Sequence, residues 1–160
     1  MQILPYNRTV KDLSGRTPEQ FVTALRERFR VSDGTPAATS GAVSMYVDGR
    51  WYSIDLTGAA PADNTRASAL DVARLQASIL EPFLGIGDVR SDKRIDFVGG
   101  GRGVSALVHA VDSGKAAVAF SMHPVSVNDL MAISDTGGIM PPKSTWFEPK
   151  LRDGLLIHLI

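Results

Sequence analysis

The chain contains no cysteine. That absence removes disulfides, thiol nucleophiles and thiolate metal sites together. The N-terminus, MQILPYNR, also lacks a basic segment followed by an apolar one, so no signal peptide is read and a cytoplasmic setting is expected. Charge of one sign is missing as well: 17 Lys and Arg balance 17 Asp and Glu. No net field therefore recruits nucleic acid or an acidic membrane. The basic clusters Arg26 to Arg30 and Arg90 to Arg94 are each interrupted by an acid and read as solvated faces. Apolar runs such as Leu155-Leu156-Ile157 are far too short to cross a bilayer.

What is present is the composition of an ordinary globular protein, 44% hydrophobic and 21% charged over 160 residues. That length fits a single domain able to bury a core without staples. Thr17-Pro18-Glu19-Gln20 carries the N-cap Thr, the N1 Pro and the N3 Gln of a capped helix, and Phe21, Val22, Leu25 and Phe29 follow at helical spacing, which predicts a helix over 18–30. Alternating Val43, Met45 and Val47, then Asp48-Gly49, then Trp51 to Leu56 predict a β-hairpin. Gly58 to Thr65 reads as a loop. Ser68 with Asp71 opens a second helix carrying Val72, Leu75 and Ile79 and stopping near Pro82, with Asp71 as a capping residue.

Strand and helix then alternate. Ile95 to Val98 is a short strand, Val104 to Val111 a helix ending at Gly114, and Ala116 to Met122 a buried strand. The strands at 95–98 and 116–122 are expected to run parallel. Ser126 to Asp129 caps a further helix that ends at Gly137-Gly138. Leu155 to Ile160 reads as a last strand, paired with Trp146 to Lys150 across an Arg152-Asp153-Gly154 turn. The expected fold is a single α/β or α+β domain on a mixed β-sheet, with about four helices and a hairpin.

Two stretches invite an anion. Gly99-Gly100-Gly101-Arg102-Gly103 lies between a strand and a helix, where glycines let backbone N–H groups approach a phosphate and the helix start adds partial positive charge. Arg102 would add a bidentate grip. The glycines crowd too closely for a dinucleotide fingerprint, and a turn serving only close packing is the other reading. Gly137 to Trp146, GGIMPPKSTW, nearly spells a phosphate-binding loop, but Pro141 and Pro142 stand where an N–H is wanted. What survives is a rigid, extended presentation of Lys143, Ser144 and Thr145, either as the wall of an anion site or as a stiff connection with Lys143 in water. Lys143 and Arg102 are expected on the same side of the domain.

Asp96 lies within an apolar strand and needs a partner. A structural pair with a nearby Lys or Arg and a catalytic acid are both open. His109, His123 and His158 have no metal-site spacing, so no metal is expected. His123 ends the apolar strand at an edge where sheets of this kind bind ligands.

The stretches LPYNRTVKDLSG (Leu4 to Gly15), Trp51-Tyr52, LDVARLQASILEPFLGI (Leu70 to Ile86), DKRIDFVGGGRG (Asp92 to Gly103) and MPPKSTWFEPKLRDGLLIHL (Met140 to Leu159) resemble the C-terminal half of the uncharacterised bacterial and archaeal family called domain of unknown function 1015. The resemblance implies a longer parent protein whose preceding segment is similar to the catalytic region of ParB- and sulfiredoxin-like free-serine kinases. The expected partners are that N-terminal half and a small anionic ligand, with a homodimer also open. The expected roles are a site for a phosphorylated small molecule or nucleotide in a phosphotransferase of that kind or, alternatively, a non-catalytic scaffold or dimerisation domain. No cofactor is implied.

Overall fold

The computed structural model describes residues 2–61 and 63–149. They form an α+β domain. Its strands are β1 (Gln2–Leu4), β2 (Tyr6–Val10), β3 (Val31–Asp33), β4 (Ala42–Val47), β5 (Arg50–Asp55), β6 (Ile95–Gly99), β7 (Val118–Ser121) and β8 (Trp146–Glu148). Its helices are α1 (Pro18–Arg26), a continuous helical body made of α2 (Asp71–Leu75), a π turn (Gln76–Leu80) and α3 (Glu81–Leu84), then α4 (Gly103–Asp112) and α5 (Val127–Asp135).

Six strands form one sheet in the order β3-β5-β4-β7-β2-β6, and β1 pairs with β8 in a separate two-stranded sheet. Every ladder among the described residues is antiparallel. β6 and β7 do run parallel to each other, as the β6-α4-β7 crossover requires. They do not touch, because β2 inserts between them and pairs antiparallel with both.

Local signals produced local structure. The capping box at Thr17 and Gln20 is formed. The helix behind it ends at Arg26, four residues short of the expected boundary, because the chain turns there to deliver β3 to its partner β5 and Arg30 O already accepts from Asp55 N–H at 3.1 Å. Asp48 and Gly49 both take positive φ, 48° and 75°, which a two-residue turn matched to twisted strands needs. Ser126 caps α5, as its spacing suggested.

Ser68 does not cap the second helix: its hydroxyl donates to the carbonyls of Asp63 and Thr65, and the N-cap is Leu70. Nor does Asp71 cap; its Oδ2 accepts the Gly41 N–H at 2.9 Å. The helical body also runs through the π turn and on past Pro82, stopping at Gly85, whose φ is 66°. Arg94 pins that end by donating to Leu84 O and Gly85 O, while Asp92 and Asp12 balance its charge at 2.8 and 3.6 Å.

The sheet is covered on both faces. Phe21, Val22 and Leu25 of α1 and the buried side chains of 71–84 pack on Val10, Val43, Met45, Val47, Val118 and Phe120. α4 covers the other face, where Leu107 meets Tyr46 and Ala119. Trp146 to Glu148 pairs with β1. The expected strand at 155–160, its pairing with 146–150, the turn at 152–154 and His158 lie outside the described residues. Among the described residues no helix is long and apolar enough to cross a membrane.

Candidate functional site: a buried arginine at a cavity wall

Alternation along β2 puts Tyr6, Arg8 and Val10 on one face. Ladder register then sets Arg8 in a cross-strand row: Phe97 lies on one side of it, Phe120 on the other, with Met45 and Tyr52 continuing beyond. A cation thus occupies one place in a row of apolar and aromatic side chains. Arg8 is only 2% exposed, and burial lowers its guanidinium to about 10. Desolvating a charge costs several kcal/mol unless a partner answers it.

No carboxylate among the described residues lies within ion-pair distance of Arg8. Nη1 donates to Tyr6 O at 2.6 Å and Nη2 to Lys143 O at 3.1 Å. The guanidinium carbon sits 5.5 Å from the centre of the Phe97 ring. Those contacts hold the fork in place but leave its charge unmatched.

Arg8 lines a cavity of about 380 Å³ together with Tyr6, Asp71, His123, Ser126 and Ser144. The chain brings these together by long-range packing. β8 pairs with β1, immediately before β2, and carries the segment 143–145 back to the start of β2. Pro142 and Lys143 make a turn rather than the extended run expected, and Lys143 takes a φ of 54°. That turn aims the Lys143 carbonyl at Arg8, and the next side chain, Ser144, is buried in the cavity wall. His123 is set by the end of β7, where Asn7 Oδ1 accepts the Met122 N–H at 2.9 Å. The imidazole Nδ1 lies 3.3 Å from Ala38 O.

Charges around the rim differ in how far they are answered. Asp129 accepts from the Ser126 hydroxyl at 2.6 Å and is paired with Arg66 at 3.0 Å, and the Ser126 bond above all holds its carboxyl below the usual range despite some burial. Burial pushes the Asp71 carboxyl up, against the Gly41 N–H, Arg74 and His123, while Asp129 adds to the rise.

The other residues singled out by sequence are placed as follows. Ser144 and His123 line the cavity; Gly100, Gly101, Arg102, Gly103, Lys143, Thr145 and Asp96 are not among its lining residues. The Lys143 ammonium projects over Tyr6 and Phe97, 5.6 and 5.7 Å from the ring centres. Asp96 is exposed and lies 3.8 Å from the Lys11 ammonium. In the glycine run, the Gly100 N–H is donated to Pro5 O at 2.8 Å. A Cβ at Gly99 would stand 2.7 Å from the Trp146 ring, and one at Gly101 would stand 3.5 Å from a Glu148 carboxylate oxygen. Arg102 and Gly103 are exposed. Among the described residues no three His, Asp or Glu side chains gather as a metal site.

Sequence reasoning missed Arg8. The available signal was the alternation Tyr6-x-Arg8-x-Val10, which puts a cation on a core-facing position.

The model of a family described as Protein of unknown function (DUF1015) matches residues 1–76. The match supports the family resemblance over that part of the chain, which includes β2, Arg8 and Asp71. It does not support the expected correspondence to the family's C-terminal half, since it falls on the N-terminal part of this chain. No curated protein matches, and no solved structure matches.

Proposed function

We propose that this domain binds a small phosphorylated molecule in the cavity at Arg8, with the guanidinium as the anion grip and Ser144 as a hydroxyl partner. The observation that carries this reading is a buried cation that no described carboxylate answers, at the wall of a cavity. An anion supplied by a ligand would answer it. Arginine suits the task because its planar fork holds phosphate or carboxylate oxygens in pairs. Two donors are already committed to backbone carbonyls, which leaves three of the five N–H groups an arginine carries. A volume of about 380 Å³ is toward the small end of ligand cavities. Phosphoryl transfer, the activity implied by the resemblance, would use this grip to orient the phosphate.

The test is a titration of the whole chain with ethyl phosphate and inorganic phosphate, read at the Arg8 Nε–H resonance and by calorimetry. Binding should shift that resonance, and Arg8→Met should weaken affinity by about tenfold to a hundredfold, as loss of a charged hydrogen-bonding partner does. An unshifted Arg8 resonance in the wild-type protein at saturating phosphate would rule the reading out, whether or not the variant folds.

One patch favours the scaffold or dimerisation reading. Val127 and Met131, one turn apart on α5, are 60% and 55% exposed, and Ile139 beyond them is 88% exposed. Sedimentation of a strictly monomeric species at high concentration would remove the homodimer.

A further inference from the structure

Arg8 is not the only cavity group whose charge is left over. The Arg66–Asp129 pair closes on itself at 3.0 Å. Asp71 does not: its Oδ2 accepts one backbone N–H, from Gly41, and no cation among the described residues comes within ion-pair distance of it. Arg74, one turn on, turns its Nη1 to Leu56 O at 3.3 Å instead. The wall of one small cavity therefore carries a cation and a carboxylate that form no ion pair among the described residues, with Arg74 and His123 acting on Asp71 only from a distance, together with the hydroxyls of Ser126 and Ser144.

Resting on the anion reading above, we propose that the ligand is a small zwitterion, a phosphate ester that also bears a protonated amine, with the phosphate on Arg8 and the ammonium on Asp71. A dianion alone would meet Arg8 but would face the Asp71 carboxylate in a confined, partly dry space, where like charges repel more strongly than in water. An ammonium on the same molecule turns that repulsion into attraction. It also answers the half-buried carboxylate, whose pKa burial has raised, as the phosphate answers the buried guanidinium. The cavity thus discriminates by charge pattern as well as by net charge.

The experiment compares O-phosphoethanolamine with ethyl phosphate, nearly equal in size and anion but differing in the ammonium, by calorimetry on the whole chain. Wild type should bind phosphoethanolamine tighter by about fivefold or more, the scale of a partly buried ion pair. Asp71→Asn keeps an oxygen to accept the Gly41 N–H, and should bring the two ligands within about twofold, weakening phosphoethanolamine and, with the carboxylate's repulsion gone, leaving ethyl phosphate bound as tightly as before or more tightly. Equal affinities in the wild type would overturn the zwitterion and leave the anion reading standing. Failure of both ligands to bind would overturn both. The wild-type comparison decides even if Asp71→Asn does not fold.

Discussion

The glycine run and the strand Tyr6–Val10 are neighbours, joined by the β2–β6 ladder at Tyr6 and Gly99, yet they differ in what their polar groups still want. In the glycine run the space around the backbone is taken up by the protein's own groups. Gly100 has given its N–H to Pro5 O, the Trp146 ring fills the space a side chain at Gly99 would take, and a side chain at Gly101 would meet a Glu148 carboxylate oxygen. On β2 a guanidinium sits in an apolar row with no carboxylate among the described residues within ion-pair distance. Glycine-rich composition shows where a backbone could approach a ligand, but neighbours decide whether it approaches a ligand or a side chain. A buried charge is the more telling oddity, because leaving it alone costs several kcal/mol.

The comparison breaks most sharply at Gly99. If its lack of a side chain serves the Trp146 ring, Gly99→Ala must push that ring aside, since the new Cβ would stand 2.7 Å from it. Overpacking of this kind costs about 1–3 kcal/mol. Thermal unfolding should show the loss, and phosphate affinity should change little. An unaltered melting temperature would mean the glycine is there for some other visitor.

A smaller effect sharpens the other side. The Asp71 carboxyl is raised above its ordinary 3.8 by burial. A group whose folded pKa exceeds its unfolded one binds more protons in the native state over the interval between, so its contribution to stability is present below 3.8 and is lost as pH rises through the folded value. Wild type measured against Asp71→Asn should therefore lose relative stability as pH rises from about 4 toward neutrality. Asp55, Asp63, Asp88 and Asp92 are shifted the other way by their own hydrogen bonds. They remain in the variant and cancel in the difference. A difference that is flat or rises with pH would show that Asp71 has a cation of its own.

How much of this was legible in the sequence follows contact range. The hairpin at Asp48-Gly49, the capping box at Thr17 and the Ser126 cap were readable because each is settled within a few residues by φ preference or one side-chain hydrogen bond. The insertion of β2 between β6 and β7, and the pairing of β1 with β8, were not, since pattern names strands but not their partners. The cavity depends on both pairings: Arg8 and Lys143 are 135 positions apart in the chain. Ser144 and His123 could be singled out by type, whereas Arg8 looked like one more charge in LPYNRTV until register put it on the core face.

Lys143 gives the finest test, because sequence and structure assign it different atoms. By sequence its ammonium is either an anion-binding group or a charge left in water. In the structure its carbonyl accepts from Arg8, and its ammonium rests over Tyr6 and Phe97. The left-handed backbone at φ 54° is what points that carbonyl, and it is uncommon for a residue other than glycine or asparagine. Lys143→Met keeps the backbone and the aliphatic stem and removes only the charge. The cation–π contacts it loses are worth about 0.5–1 kcal/mol at an exposed position, so the melting temperature should fall slightly. Ethyl phosphate affinity should stay within about twofold of wild type, since the contact to Arg8 is made by the backbone. A tenfold drop in affinity with little change in stability would mean the ammonium reaches the ligand, and the anion site would then extend out of the cavity toward Lys143 and the aromatic cluster beneath it.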